Sequence, residues 1–283
     1  MKKIKIFPKM FIQIFSVLAI IIILVHSLVY FIFPKTYLET RKEKIHNIAN
    51  EISSNMNGKE IKYIEQTLEL YSKSSEIKAF IKRAGINLTS LGFTDHSEVH
   101  TTLVADRAAA ILKEFGYDEN TIELAKIAGY MHDIGNAVNR THHAEYGAIL
   151  ANDILKDTDM PLEDRVTIVS CIGSHDESTG GATDPVSAAV IIGDKTDVRR
   201  NRVSNKDKSS FDIHDRVNYA VTEASLKINA DKKVISLNLQ IDESICTMYD
   251  YFDIFLQRML MCRGAAGVLG AKFKLTANGS KVL

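Results

Sequence analysis

Tyr130-Met131-His132-Asp133-Ile134-Gly135-Asn136 is the stretch on which the fold assignment turns. It follows an apolar run with helical spacing, Ile122, Ala125, Ala128 and Met131. Adjacent residues on a helical turn project about 100° apart, so the imidazole and the carboxylate can reach one cation. The carboxylate keeps a second oxygen with which to bridge to another. Imidazole with carboxylate suits zinc, iron, manganese or nickel better than calcium or magnesium alone. A His-Asp dipeptide by itself says little, and the chain has two more, His175-Asp176 and His214-Asp215.

What lifts the first above chance is its company. Upstream stands His100-Thr101-Thr102-Leu103-Val104-Ala105, an H-x-x-x-V-A wording. Downstream come His143-Ala144-Glu145-Tyr146-Gly147-Ala148, an H-x-x-x-G-A wording, then Ser174-His175 and Gly193-Asp194. In this order the segment from about Ser74 to about Asp215 resembles the HD-domain metal-dependent phosphohydrolases, in the variant with a two-metal site. The resemblance implies a helical bundle and a metal set of His100, His132, Asp133, His143, His175 and Asp194. It also implies Asp133 as the bridging, catalytic residue. His143 is preferred to its neighbour His142, because only His143 keeps the H-x-x-x-G-A spacing. The implied cofactors are two divalent transition-metal ions, iron or manganese, with zinc, nickel or cobalt as alternatives. Two such ions roughly 3.5–4 Å apart activate water for in-line attack on phosphorus, with no nucleophilic side chain required. A single histidine near a helix end more commonly caps the helix or faces solvent. Five ligand positions in family order argue against coincidence.

Composition bounds the rest. At 283 residues the chain holds one sizeable core with appendages. Its 35 basic and 35 acidic residues cancel, so no global field points to nucleic acid, and none is expected as a partner. Cys171, Cys246 and Cys262 lack C-x-x-C spacing and read as buried, reduced residues. Sparse glycine and proline with 46% apolar residues indicate an ordered, mainly helical protein.

The amino end reads differently. Residues 1–9 are a basic tail, and residues 10–33 carry no charge. At about 1.5 Å per residue this run exceeds the roughly 30 Å hydrocarbon core, which predicts a transmembrane helix and a lipid bilayer as a partner. Lys2, Lys3, Lys5 and Lys9 precede it, and Lys35, Arg41, Lys42 and Lys44 follow, so positive charge does not fix its orientation. Residues 34–73 read as an amphipathic stalk with stripes at Ile45, Ile48, Ile52 and at Ile61, Ile64, Leu68, suited to a homodimer. Residues 1–73 loosely resemble the start of a sensor histidine kinase. The expected location is a single-pass anchor in the cell membrane. Nucleotide chemistry favours a cytoplasmic catalytic domain, whereas the kinase resemblance favours the opposite side.

Residues 74–218 are expected to form the metal-binding domain. Glu76–Leu91 reads as a helix, and Asp95 as the cap of a second running to Phe115. Asp118 is expected to cap a third, Thr141 a fourth and Asp184 a later one, with Pro161 at another helix start. From 219 to 283 the period changes to an α+β subdomain: strands over Ala224–Ile228 and 234–241, a helix over Asp242–Leu269, and a terminal hairpin turning at Asn278-Gly279. The whole is a mainly α protein, an HD-type bundle with a small α+β cap and an N-terminal transmembrane helix.

For substrate contacts the candidates are His96, one turn before His100, and Lys195, Arg199 and Arg140 as phosphate-binding cations. His96, Asp176 and Glu177 are the candidates for protonating a leaving oxygen. The chain departs from the cyclic-dinucleotide phosphodiesterases of the HD-GYP type: Asn136 replaces their lysine, and Gly180-Gly181-Ala182 replaces their G-Y-P loop. With His175 followed shortly by Ser178-Thr179-Gly180, it more closely resembles the HD enzymes that split dinucleoside polyphosphates, with mononucleotide phosphatases of the same fold as the alternative. The expected substrate is thus a small phosphate ester, nucleotide or dinucleotide. The competing expectation is a membrane-bound nucleotide-sensing module without turnover.

Overall fold

The computed structural model describes residues 75–203, 205, 211 and 213–283. All belong to one compact unit, Glu69–Leu283. The expected basic tail, membrane span and stalk, residues 1–73, all lie outside the described residues. Among the described residues no helix is long and apolar enough to cross a membrane.

The chain enters on helix α1, described over residues 75–90, and turns at Gly92. Helix α2 covers Glu98–Glu114. Its cap is Ser97, whose side chain accepts from Val99 N, while Asp95 accepts from Ser97 N and Ser97 Oγ. The expected cap thus stands two residues back, holding the true one. Helix α3, Glu119–Met131, starts on Asp118, which accepts from Thr121 N at 3.1 Å. It stops at His132, and a 3₁₀ turn over Ile134–Ala137 follows. Helix α4, His143–Leu155, begins on His142 in left-handed conformation (φ 61°) with no side-chain cap, not on Thr141. The three-residue step from Asn139 to His142 must reverse direction sharply, and the left-handed residue supplies the bend.

Helix α5 runs Leu162–Gly173 from Pro161, so His175 lies two residues past its end. Helix α6, Pro185–Lys195, has the full capping box of Asp184 and Ser187, with proline at its first position. All ten residues from Val186 to Lys195 are buried. A helix apolar on every side must be covered on every side. Helices α2, α3 and α5 cover α6 on the bundle side.

The remaining cover comes from the carboxyl-terminal segment. Helix α7, Ile213–Ala220, runs straight into strand β1, Val221–Asn229, which hairpins to β2, Val234–Ile241. Helix α8, Met248–Val268, is capped by Thr247 and Asp250, and β3, Lys272–Ala277, lies parallel to β2. A short β4, Ser280–Lys281, closes the hairpin at Asn278 and Gly279, both at positive φ. The sheet order is β1-β2-β3-β4. Alternation on β2 buries Ile235, Leu237, Leu239 and Ile241 on one face, joined by Phe273 and Leu275 of β3. Helix α8 lies between that sheet and α6, burying Tyr251, Phe255, Met259 and Cys262. One contiguous core therefore runs from bundle to sheet.

Candidate metal centre

Five helix ends converge at one point. His100 stands in the first turn of α2, His132 and Asp133 just past α3, His143 at the start of α4, His175 past α5, and Asp194 in the last turn of α6. Small residues permit the convergence. A Cβ on Gly135 would lie 1.9 Å from His143 O, and one on Gly129 would lie 3.0 Å from Ala105 Cα. The 3₁₀ turn thus seats directly on the first turn of α4, and α3 lies against α2 at backbone distance.

All six residues are buried, none more than 6% exposed. The imidazoles of His100, His132, His175 and His143 follow one another edge to face, with centroids 5.0–5.3 Å apart. Asp133 lies along this row with one oxygen toward each half. Its Oδ2 is 3.2 Å from His132 Nε2 and 3.8 Å from His100 Nε2; its Oδ1 is 3.7 Å from His143 Nε2 and 3.8 Å from His175 Nε2. Asp194 Oδ1 faces His100 Nε2 at 3.3 Å and His132 Nε2 at 3.8 Å. Among the described residues, two groups bring their donor atoms close enough for one cation: His100, His132 and Asp194, and His132, Asp133 and His175.

The donor set fits a metal on independent grounds. Each histidine spends Nδ1 on an acceptor: His132 on Gly129 O (2.7 Å), His175 on Ile172 O (2.6 Å), His143 on Arg140 O (3.2 Å) and His100 on Asp197 Oδ2 (2.8 Å). A carbonyl can only accept, so Nδ1 carries the proton and Nε2 presents a lone pair to the centre. His100 Nε2 and His132 Nε2 are buried with no hydrogen-bond partner among the described residues. Leaving such atoms unsatisfied is costly unless something binds them. Asn136 holds the Asp133 carboxylate, donating from Nδ2 to Asp133 Oδ1 at 2.9 Å.

Electrostatics agree. Burial opposes ionisation of Asp133 most strongly, yet the facing imidazoles of His132 and His96 hold its carboxyl well below the usual range. Asp194 likewise stays ionised against its burial, through Lys195 and His100. Burial, seconded by His132 and Lys195, pushes His175 down to about 3, and burial lowers His143. Both are neutral at physiological pH, the state a ligand requires.

The proposed substrate contacts divide. His96 belongs to the cluster: its ring is 5.4 Å from that of His100 and its Nε2 is 3.9 Å from Asp133 Oδ2. Arg140 lies over the Phe93 ring and donates from Nη1 to His143 Nε2 at 3.2 Å. It helps to line a cavity of about 340 Å³, together with His143, Asp176, Glu177 and Ser178. Lys195 is buried, with Nζ 2.7 Å from both Asp194 Oδ2 and Glu177 Oε2. Arg199 does not face the cluster. It grips Asp197 with Nε at 2.5 Å and Nη2 at 3.0 Å, and so braces the carboxylate that orients His100. The side chain of His214 lies outside the described residues.

The contacts of three residues beside the site were missed from sequence: those of Asn136, Asp197 and Arg258. Asp197 is a helical turn past Asp194, a spacing that could have marked it. Arg258 lies in α8, and its Nε reaches Glu177 Oε1 at 3.0 Å, a contact with no local signal.

A family model described as "HD domain" matches residues 98–217. An uncharacterized protein of Methanocaldococcus jannaschii, MJ1020, is 27% identical over 191 residues, spanning 59% of this chain and 73% of its own.

Proposed function

Through residues 98–217 this chain belongs to the HD superfamily of metal-dependent phosphohydrolases, and from that premise we propose that it hydrolyses a phosphoester or phosphoanhydride bond of a nucleotide or dinucleotide at two divalent cations bridged by Asp133. The observation that supports the pair is the two-sided setting of Asp133, with Oδ2 toward His100 and His132 and Oδ1 toward His143 and His175. His100, His132, Asp133 and Asp194 would hold one ion; Asp133, His143 and His175, with solvent, the other. Divalent ions bound there supply Lewis acidity toward phosphoryl oxygens and make water a nucleophile at neutral pH.

The chain's own residues do the rest. Gly129 O, Ile172 O, Arg140 O and Asp197 fix the imidazole tautomers, and Asn136 fixes the bridging carboxylate. Arg140, at the wall of the 340 Å³ cavity, is placed to meet phosphate charge as it enters. No thiol competes with water for the attack: Cys171, Cys246 and Cys262 are buried, and burial pushes the Cys262 thiol up to about 12. Asp176 and Glu177 are poor proton donors. Although burial favours their neutral forms, Ser178 in the first case and Lys195 with Arg258 in the second hold both below the carboxylate range. Burial likewise keeps His96 unprotonated near neutral pH.

The uncharged run 10–33 would tether this unit to a membrane, with the catalytic domain on the cytoplasmic side where nucleotides abound. A reporter fused at Leu283 and active only outside would reverse that placement. The activity is tested on the full-length, metal-loaded protein against nucleotides, cyclic dinucleotides and dinucleoside polyphosphates. Turnover abolished in Asp133→Ala is the expected result; equal turnover in that variant would refute the assignment.

A further inference from the structure

A chain of ion pairs leaves the metal centre and ends in the carboxyl-terminal helix. Asp194 Oδ2 meets Lys195 Nζ at 2.7 Å, Lys195 Nζ meets Glu177 Oε2 at 2.7 Å, and Glu177 Oε1 meets Arg258 Nε at 3.0 Å. Two cations from different elements thus close on one carboxylate, each taking one of its oxygens. Lys195 belongs to α6 and Arg258 to α8, while Glu177 sits on the loop between α5 and α6. Glu177 is also part of the wall of the 340 Å³ cavity that reaches His143, whereas neither Lys195 nor Arg258 lines it. The side chains of Lys195, Arg258 and Glu177 are 4%, 21% and 26% exposed.

A lysine and an arginine converging on two oxygens of one anion make a phosphate-binding arrangement, and a carboxylate is the protein's own imitation of that anion. We propose that Glu177 is a latch: it occupies a dicationic phosphate subsite formed by Lys195 and Arg258, and a phosphoryl group of the substrate displaces it. This deepens the hydrolase reading and rests on it. The loop is held by a few bonds of its own and by these ion pairs. Asp176 accepts from Ser178 N and Oγ, Gly180 N donates to Asp176 O at 2.8 Å and Gly181 N to Ser174 O at 2.9 Å. Glu177 is thus carried by a small self-bonded turn whose side-chain ion pairs to α6 and α8 are the bonds that a phosphate would replace. The ligand class is a phosphate monoester dianion or the terminal phosphate of a nucleotide, and free inorganic phosphate should bind as a product.

The test measures inorganic phosphate binding by calorimetry on the metal-loaded, full-length protein and two variants. A latch predicts opposite signs for the two partners of one ion pair. E177Q removes the competing carboxylate from Arg258 and leaves Lys195 paired with Asp194 alone, and should bind phosphate about tenfold more tightly, whereas R258Q loses a cation and should bind about tenfold more weakly. A network that only holds the fold predicts the same direction for both, and that result would overturn the latch. The wild type supplies a second reading should E177Q not fold. Saturating phosphate should speed hydrogen exchange at the Gly180 and Gly181 amides as Glu177 is released. Unchanged or slower exchange there would contradict displacement. Absence of phosphate binding in the wild type would instead count against the hydrolase reading itself.

Discussion

At His100 the two ring nitrogens face different tasks: Nδ1 donates to Asp197 Oδ2 at 2.8 Å, and Nε2 faces Asp194. Asp197 is wholly buried and is itself gripped by Arg199, with Arg202 Nε 3.6 Å away. Burial opposes its ionisation, yet His100 and Arg199 hold its carboxyl far below the ordinary range. An outer partner of this kind contributes roughly 10–100-fold to metal affinity. Asp197→Asn should therefore weaken metal binding about that much while leaving the ligand atoms in place, as read by competition with a chelating dye. Unchanged affinity would make Asp197 a packing residue. The same scale carries a pH prediction for the metal-free protein. His175 has its folded pKa depressed from 6.5 to about 3, chiefly by burial. Between those values the unfolded chain binds the extra proton, so its contribution to stability is complete above 6.5 and is lost as pH falls toward 3. The slope is about 1.4 kcal/mol per pH unit for this one proton. His132, raised by Asp133 against its burial, works in the other direction. Denaturant melts at pH 7 and pH 5 should show lower stability at pH 5; stability that rises on acidification would show that His132 dominates.

The elements were legible where their signals are local. Asp118, the Asp184-Pro185 pair and the alternation of 234–241 mark boundaries that the structure reproduces closely, because caps and pleats are decided within a few residues. The α4 start was misread because Thr141 has the right side chain, but the chain must bend at His142 to bring His143 inward. The four histidines and two aspartates that the wording singled out do meet in one cluster. The contact of Arg258 escaped notice because a guanidinium's role depends on what arrives from elsewhere in the fold. Gly135 shows what the wording conceals: the glycine of H-D-I-G is a packing requirement between the 3₁₀ turn and α4. Gly135→Ala places a methyl 1.9 Å from His143 O and 2.4 Å from Gly147 N, both backbone atoms that cannot swing aside. The variant should lose more than about 3 kcal/mol of stability. A melting curve within the error of the wild type would refute the close approach.

On the scale of the molecule, the carboxyl-terminal segment shares one core with the helical bundle. Helix α8 covers α6, whose residues Val190, Ile191 and Ile192 are wholly buried, and it sends Arg258 to the cavity wall at Glu177. Deleting residues 243–283 would strip α6 of this cover and β2 of its parallel neighbour β3. Apolar surface on that scale does not stay dispersed in water, so the shortened chain should sediment as aggregate. A soluble, cooperatively melting product would show that the bundle stands alone.

The central claim is that Asp133 joins two cations. Metal content is the most direct test, counted by mass spectrometry after equilibrating the full-length protein with manganese, wild type beside Asp133→Asn. The account predicts two ions per wild-type chain, a loss of at least one in the variant, and hydrolysis that requires both. A single ion per chain, or full occupancy and turnover in Asp133→Asn, would contradict it.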